Sequence, residues 1–152
     1  MKKTLLSLCL MACVACGNDD GMSGADAGVS GDAGTACAPL DPKFSVLFAE
    51  IFNTPTCNLA AACHGMGAQG DLLYDTDVAT AHMQTTGDTF RTDSRGQFPK
   101  RVEPGMPDQS FLWIKLTDSM VPGGQMPLAA NPLNQCQLDA VKAWIENGAA
   151  ND

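Results

Sequence analysis

Cys57, Cys63 and His64 stand in the run Cys57-Asn-Leu-Ala-Ala-Ala-Cys63-His64, and Met126-Pro127 follows about sixty residues later. Two thiols that end in a Cys-His step are what a chain needs to hold a c-type haem. The sulfurs add to the two vinyl groups, and the imidazole is carried onto one face of the iron. Met126, on a later loop, can take the opposite face. The usual attachment run has two residues between its cysteines; this one has five. Six residues of straight helix rise about 9 Å and turn more than once and a half, which puts the thiols on different faces. A disulfide needs Cα atoms roughly 4.4–6.8 Å apart. Whether the thiols share a haem or pair with each other, the segment is expected to bulge or loop.

Other chemistries find less support. Cys57, Cys63, His64 and His82 match no common structural-zinc spacing. A blue-copper site wants two His and a Cys on strands, which this chain does not offer. An oxidising compartment and paired cysteines would leave no obvious free nucleophile, and only two His exist, so no serine or cysteine triad can be argued and an enzyme acting on its own substrate is not expected. His82 reads as a helix-face residue. Met120 reads as a packing residue and Met106 as part of a turn, leaving Met126, beside Gly123-Gly124 and Pro127, as the preferred distal group.

The N-terminus points to export. Lys2 and Lys3 precede an apolar stretch, Thr4 to Ala15, which is shorter than the roughly 20 residues of a bilayer-spanning helix. Residues 1–15 read as a lipoprotein signal peptide, with cleavage before Cys16 as the lipid acceptor. Cutting at Cys13 would leave an unusually short signal. Gly17 lacks the acidic character that favours inner-membrane retention, which favours the outer membrane. Residues 16–36 then form a lipidated Cys and a tether whose Gly17–Ala36 stretch holds six Gly and four Asp. Such a stretch cannot bury enough surface to offset its ordering entropy, and as a coil it spans roughly 25 Å. Export also implies an oxidising compartment. Four cysteines stay in the mature chain, Cys37, Cys57, Cys63 and Cys136. They fit two disulfides, or one disulfide and two thioethers, and all three pairings are open at this level.

Residues 37–152 make one small domain with seven Lys/Arg against thirteen Asp/Glu. The whole chain has a net charge of −8. An acidic surface without a basic cluster argues against nucleic acid and against electrostatic docking to anionic lipid.

Four helices must position the site. Phe44, Leu47, Phe48, Ile51 and Phe52 recur at the spacing of one helix face, and Pro55 ends that helix just before Cys57. A second helix, about Thr76 to Thr85, offers Val78, Ala81, His82 and Met83 as its buried side. A third runs from Asp108 or Ser110 to about Thr117, carrying Phe111, Leu112, Ile114 and Leu116 with Trp113 beside them. The fourth opens on Asn134 with Gln137 in capping-box spacing. It shows Leu138, Val141, Trp144 and Ile145 as a stripe, and stops at Gly148. Strand signals are sparse. The expected class is all-α with long Gly/Pro-rich loops.

These pieces, in order, resemble the small cytochrome-c-like domains of exported myxobacterial and planctomycete proteins. The resemblance covers most of Phe44 to Ala149. It rests on the amphipathic helix leading to Cys57…Cys63-His64-Gly65, and on Gly-Asp-Leu-Leu at Gly70 to Leu73. It continues through Val-Glu-Pro-Gly-Met-Pro-Asp-Gln-Ser-Phe-Leu at Val102 to Leu112, and Gly-Gly-Gln-Met-Pro-Leu at Gly123 to Leu128. The closing helix ends in Trp144-Ile145-Glu146-Asn147-Gly148-Ala149. The resemblance implies a cytochrome-c-like fold with one covalent haem c on Cys57 and Cys63, His64 as proximal ligand and Met126 as distal ligand. It also implies electron transfer with redox partner proteins of the cell envelope. Terminal helices pack together in such folds, so Cys37 and Cys136 could meet. Pairing of either with Cys57 or Cys63 is the alternative. Relatives that have lost haem imply a second possibility, a disulfide-stapled lipoprotein of the same fold serving as an envelope interaction module.

Overall fold

A computed structural model describes residues 37–58, 62–87, 98, 100–128 and 130–152. The chain divides into two units, Met1–Gly34 and Thr35–Asp152, and the described residues belong to the second. The signal peptide, the Cys16 acceptor and the tether expected over 1–36 lie outside the described residues.

The described residues form helices and no sheet; one isolated bridge pairs Lys100 with Ser110. The domain is all-α. Helix α1, Phe44–Leu47, runs into a wider π-helical turn, Phe48–Phe52, closed by the Asn53 N–H on the Phe48 carbonyl at 2.7 Å. Helices α2 (Val78–Thr86), α3 (Phe111–Thr117) and α4 (Gln135–Glu146) follow. Two 3₁₀ turns, Gln69–Asp71 and Pro107–Gln109, lie between them.

Each apolar stripe is buried against another. The Phe44 ring is fully buried, 5.3 Å from the Trp144 ring, and meets the His82 ring edge-on at 4.9 Å. This holds α1, α2 and α4 together. The first N–H groups of α1 have no partner within the helix. Asp152 accepts them, through its side chain from Phe44 at 2.8 Å and its carbonyl from Ser45 at 3.1 Å.

Helix α4 begins and ends by local chemistry. Asn134 and Gln137 form a reciprocal capping box with both bonds at 3.0 Å, an arrangement whose cap contributes about 1 kcal/mol. At its other end Gly148 adopts φ +98°, and Ala149 donates to the Trp144 carbonyl at 2.9 Å, a Schellman ending. Before α3, Pro104-Gly105 makes a turn in which Gly105 has φ +81° and Met106 donates back to Glu103 at 2.9 Å. Gly105 also donates to the Ile145 carbonyl at 2.7 Å, which joins this turn to the end of α4.

Cys37 and Cys136 form a disulfide with Cα atoms 5.9 Å apart, joining the start of the domain to the first turn of α4. Two sequence expectations are corrected. Met83 is 64 % exposed, and the inner face of α2 is instead Ala81 and Thr85. Thr85 succeeds there because its hydroxyl donates to the Ala81 carbonyl at 2.8 Å and lies 3.3 Å from the Tyr74 hydroxyl. Met120, expected to pack, is 86 % exposed.

Candidate functional site

The run after α1 turns back on itself. Cys57 and Asn58 both donate to the Thr54 carbonyl, at 3.0 and 2.7 Å, and the His64 N–H then reaches the Cys57 carbonyl at 3.2 Å. Cys57 and His64 are therefore brought together although they stand seven positions apart in the sequence. Cys63 and Cys57 are both half-buried free thiols. Burial, and next the negative charge that Cys63 would carry, push the Cys57 thiol up to about 11.

His64 is oriented by its own loop. Its Nδ1 lies 2.9 Å from the Gln69 carbonyl. A carbonyl only accepts, so Nδ1 carries the proton and the neutral ring keeps its lone pair on Nε2. Burial lowers the His64 pKa from its ordinary value, opposed by the Gln69 and Leu72 carbonyls. The ring sits edge-on to Tyr74 at 5.7 Å, and Tyr74 stacks on Phe52 at 5.0 Å.

Arg101 holds the same loop from behind. It is buried, donating to the Gly70 carbonyl at 3.0 Å and to the Gln84 carbonyl of α2. The Gln84 side chain accepts from the Leu73 N–H at 2.7 Å.

On the other side, Gly123 and Gly124 both take φ +78°, which bends the chain ahead of Met126. A Cβ on Gly124 would come within 2.8 Å of the Leu128 side chain. Met126 is half-buried against the core, donates its N–H to the Lys115 carbonyl at 2.6 Å, and precedes a cis peptide to Pro127.

These pieces meet around one open cavity of about 210 Å³. That is below the roughly 300–1,000 Å³ usual for small-molecule and cofactor sites. Cys57, His64 and Met126 all stand on its wall, with Phe52, Leu72, Tyr74, Phe111, Leu112 and Leu116 as apolar lining. Among the described residues, Arg101 and Lys115 are the cations of that wall, and no Asp or Glu belongs to it.

Of the residues singled out in the sequence, Cys57, His64 and Met126 are brought together. Cys63 lies outside the lining. His82 is used elsewhere, with its Nε2 2.8 Å from the Ala149 carbonyl and its ring between Phe44 and Trp144. Met106 and Met120 are exposed and off the wall. Among the described residues, no group of three or more His, Cys, Asp and Glu converges as a metal site would require. Sequence reading missed Tyr74, Arg101 and Lys115. For the two cations no local signal existed, because their roles depend on backbone carbonyls far away in the chain.

Compared with models of protein families, with curated proteins and with solved structures, the chain shows no match. Among the described residues no helix is long and apolar enough to cross a membrane.

Proposed function

We propose that the chain is a cytochrome-c-like, membrane-anchored electron-transfer protein carrying one covalent haem c. Cys57 and Cys63 would supply the thioethers, and His64 and Met126 the axial ligands. The observation that carries this reading is the convergence of Cys57, His64 and Met126 on one apolar wall.

Cys57, His64 and Met126 suit the group. The Nδ1–Gln69 bond leaves His64 Nε2 as the coordinating atom. The rings of Phe52, Tyr74 and Phe111 offer flat apolar surface that excludes water. Arg101 and Lys115 on the wall complement an apolar ring bearing carboxylates, in a chain that is otherwise acidic. When bound, the haem supplies a one-electron couple whose potential His/Met ligation raises.

The terminal segments complete the reading. Residues 1–15 direct export, lipid on Cys16 anchors the protein in the envelope, at the outer membrane, and 16–36 tether the domain. Its partners are redox proteins of the envelope. Replacing Cys16 with Ser should release the protein from the membrane fraction, whereas replacing Cys13 should not. The reverse pattern would move the anchor to Cys13.

Production in a host with c-type maturation machinery tests the haem directly. Haem should remain with the chain on a denaturing gel, and intact mass should rise by one haem. A mass showing only hydrogens lost in cysteine pairs would overturn the reading.

One observation favours a second reading. Cys63 lies off the cavity wall, so both thiols do not face one common group. In that reading Cys57 and Cys63 pair, and the protein is a haem-free, disulfide-stapled interaction module of the envelope. The same mass measurement separates the two.

A further inference from the structure

Helix α3 ends one turn before the loop that carries Met126, and its last carbonyls have no partner inside the helix. The loop provides two: Met126 donates its N–H to the Lys115 carbonyl at 2.6 Å, and the Gln125 side chain donates to the Leu116 carbonyl at 2.8 Å. The Lys115 side chain then returns the contact. Its ammonium donates to the Pro122 carbonyl at 3.2 Å and to the Gly124 carbonyl, and lies 5.9 Å from the centre of the Phe111 ring. A single residue thus holds the loop before Met126 by its side chain and Met126 itself by its backbone.

The glycines make this possible. Gly123 and Gly124 both occupy φ +78°, a left-handed conformation that glycine adopts without steric cost. A Cβ at Gly123 would sit 3.4 Å from the Lys115 Nζ. Charge-assisted bonds to carbonyls are roughly twice as strong as neutral ones, and Lys115 is half-buried on the cavity wall.

We infer that Lys115 is the positioning residue for Met126, clamping the 122–126 loop so that the thioether faces the cavity. The inference deepens the electron-carrier reading and rests on it for its functional meaning, but the clamp itself is testable without haem.

The experiment uses the full chain labelled with ¹³C at the methionine methyls. In the haem-free protein, the Met126 methyl should resonate away from that of exposed Met120. Lys115→Leu keeps the helix backbone and most of the apolar stem but removes the donors. It should bring the Met126 methyl towards the Met120 position without moving Met120. Lys115→Arg, which keeps charge and donors, should restore it. Lys142→Gln, an equal charge loss on a half-exposed lysine of α4, should change nothing. In haem-loaded protein, Lys115→Leu should lose most of the red charge-transfer band of thioether-ligated ferric haem and lower the potential, and Lys115→Arg should keep both.

An unmoved Met126 methyl in Lys115→Leu would overturn the clamp. If that variant does not fold, Lys115→Gln, shorter and uncharged, decides by the same shift. A wild type that takes up no haem overturns the electron-carrier reading, while the haem-free spectra still decide the role of Lys115.

Discussion

The His64 N–H donates to the Cys57 carbonyl at 3.2 Å. In a regular α-helix that bond joins residues four apart, which is the separation of the first Cys and the His in a Cys-x-x-Cys-His run. Here it joins residues seven apart. By count, the chain has three residues more than the helical turn needs between the two.

Removing three residues should therefore be tolerated. Deleting residues 59–61 leaves Cys57-Asn58-Ala62-Cys63-His64, a run of standard attachment spacing. The variant should stay folded, with a melting temperature within a few degrees of the wild type, and should accept haem at least as completely. Loss of the fold would show that the His64–Cys57 bond depends on the longer run.

The Cys37–Cys136 bridge closes a loop with a sequence separation of 99. In the chain-entropy model such a closure stabilises by about 4–5 kcal/mol. Replacing both cysteines with Ser should lower the urea midpoint strongly, and reduction of the wild type should reproduce most of the loss. Peptide mapping without reductant should link these two. A link from either to Cys57 or Cys63 would discard both the bridge and haem attachment.

How much could be read beforehand follows from how far each interaction reaches. The inner face of α1, the capping box of Asn134 and the stop at Gly148 depend on neighbours within a few residues, and each is legible in the sequence. The π-helical turn at Phe48–Phe52 is not, because apolar residues three and four apart suit both helix types. Met83 faces solvent while Thr85 lies inside, because the Thr85 hydroxyl bonds its own helix, something hydrophobicity alone does not show. On the candidate site, Cys57, His64 and Met126 are legible in the sequence as thiol, imidazole and thioether donors. Lys115 and Arg101 did not, because each acts on carbonyls at Gly124, Gly70 and Gln84 that only the folded chain brings near.

The start of α2 should respond to acid. Asp77 accepts from the Thr80 N–H at 2.9 Å and from its hydroxyl at 2.7 Å, and these bonds hold its carboxyl below the usual carboxylate value. A folded-state pKa lowered in this way gives stability that is complete above the ordinary Asp value and lost as pH falls through the lower one. The deficit of Asp77→Ala relative to wild type should thus be full at neutral pH and shrink in acid. Hydrogen exchange of the α2 amides is the measurement, since α2 carries the Gln84 groups that anchor Arg101 and Leu73. A deficit independent of pH would mean that the carboxylate charge is not what caps α2.

The choice of distal ligand can be decided by three methionine and histidine variants in haem-loaded protein. Met126 stands on the cavity wall, Met120 is 86 % exposed, and His82 is held by the Ala149 carbonyl between Phe44 and Trp144. Met126→Ala should abolish the red charge-transfer band and lower the potential, because water or a nitrogen ligand stabilises ferric haem more than a thioether does. Met120→Ala should leave the band, the potential and the stability unchanged, because the side chain touches little and lies off the wall. His82→Ala should cost stability by emptying the space between two aromatic rings, yet leave the band in place. Loss of the band in Met120→Ala would move the distal ligand to that residue. Loss in His82→Ala without unfolding would show that the α2 face reaches the haem. A wild type with attached haem but no band would remove Met126 from the iron and end the closed His/Met site.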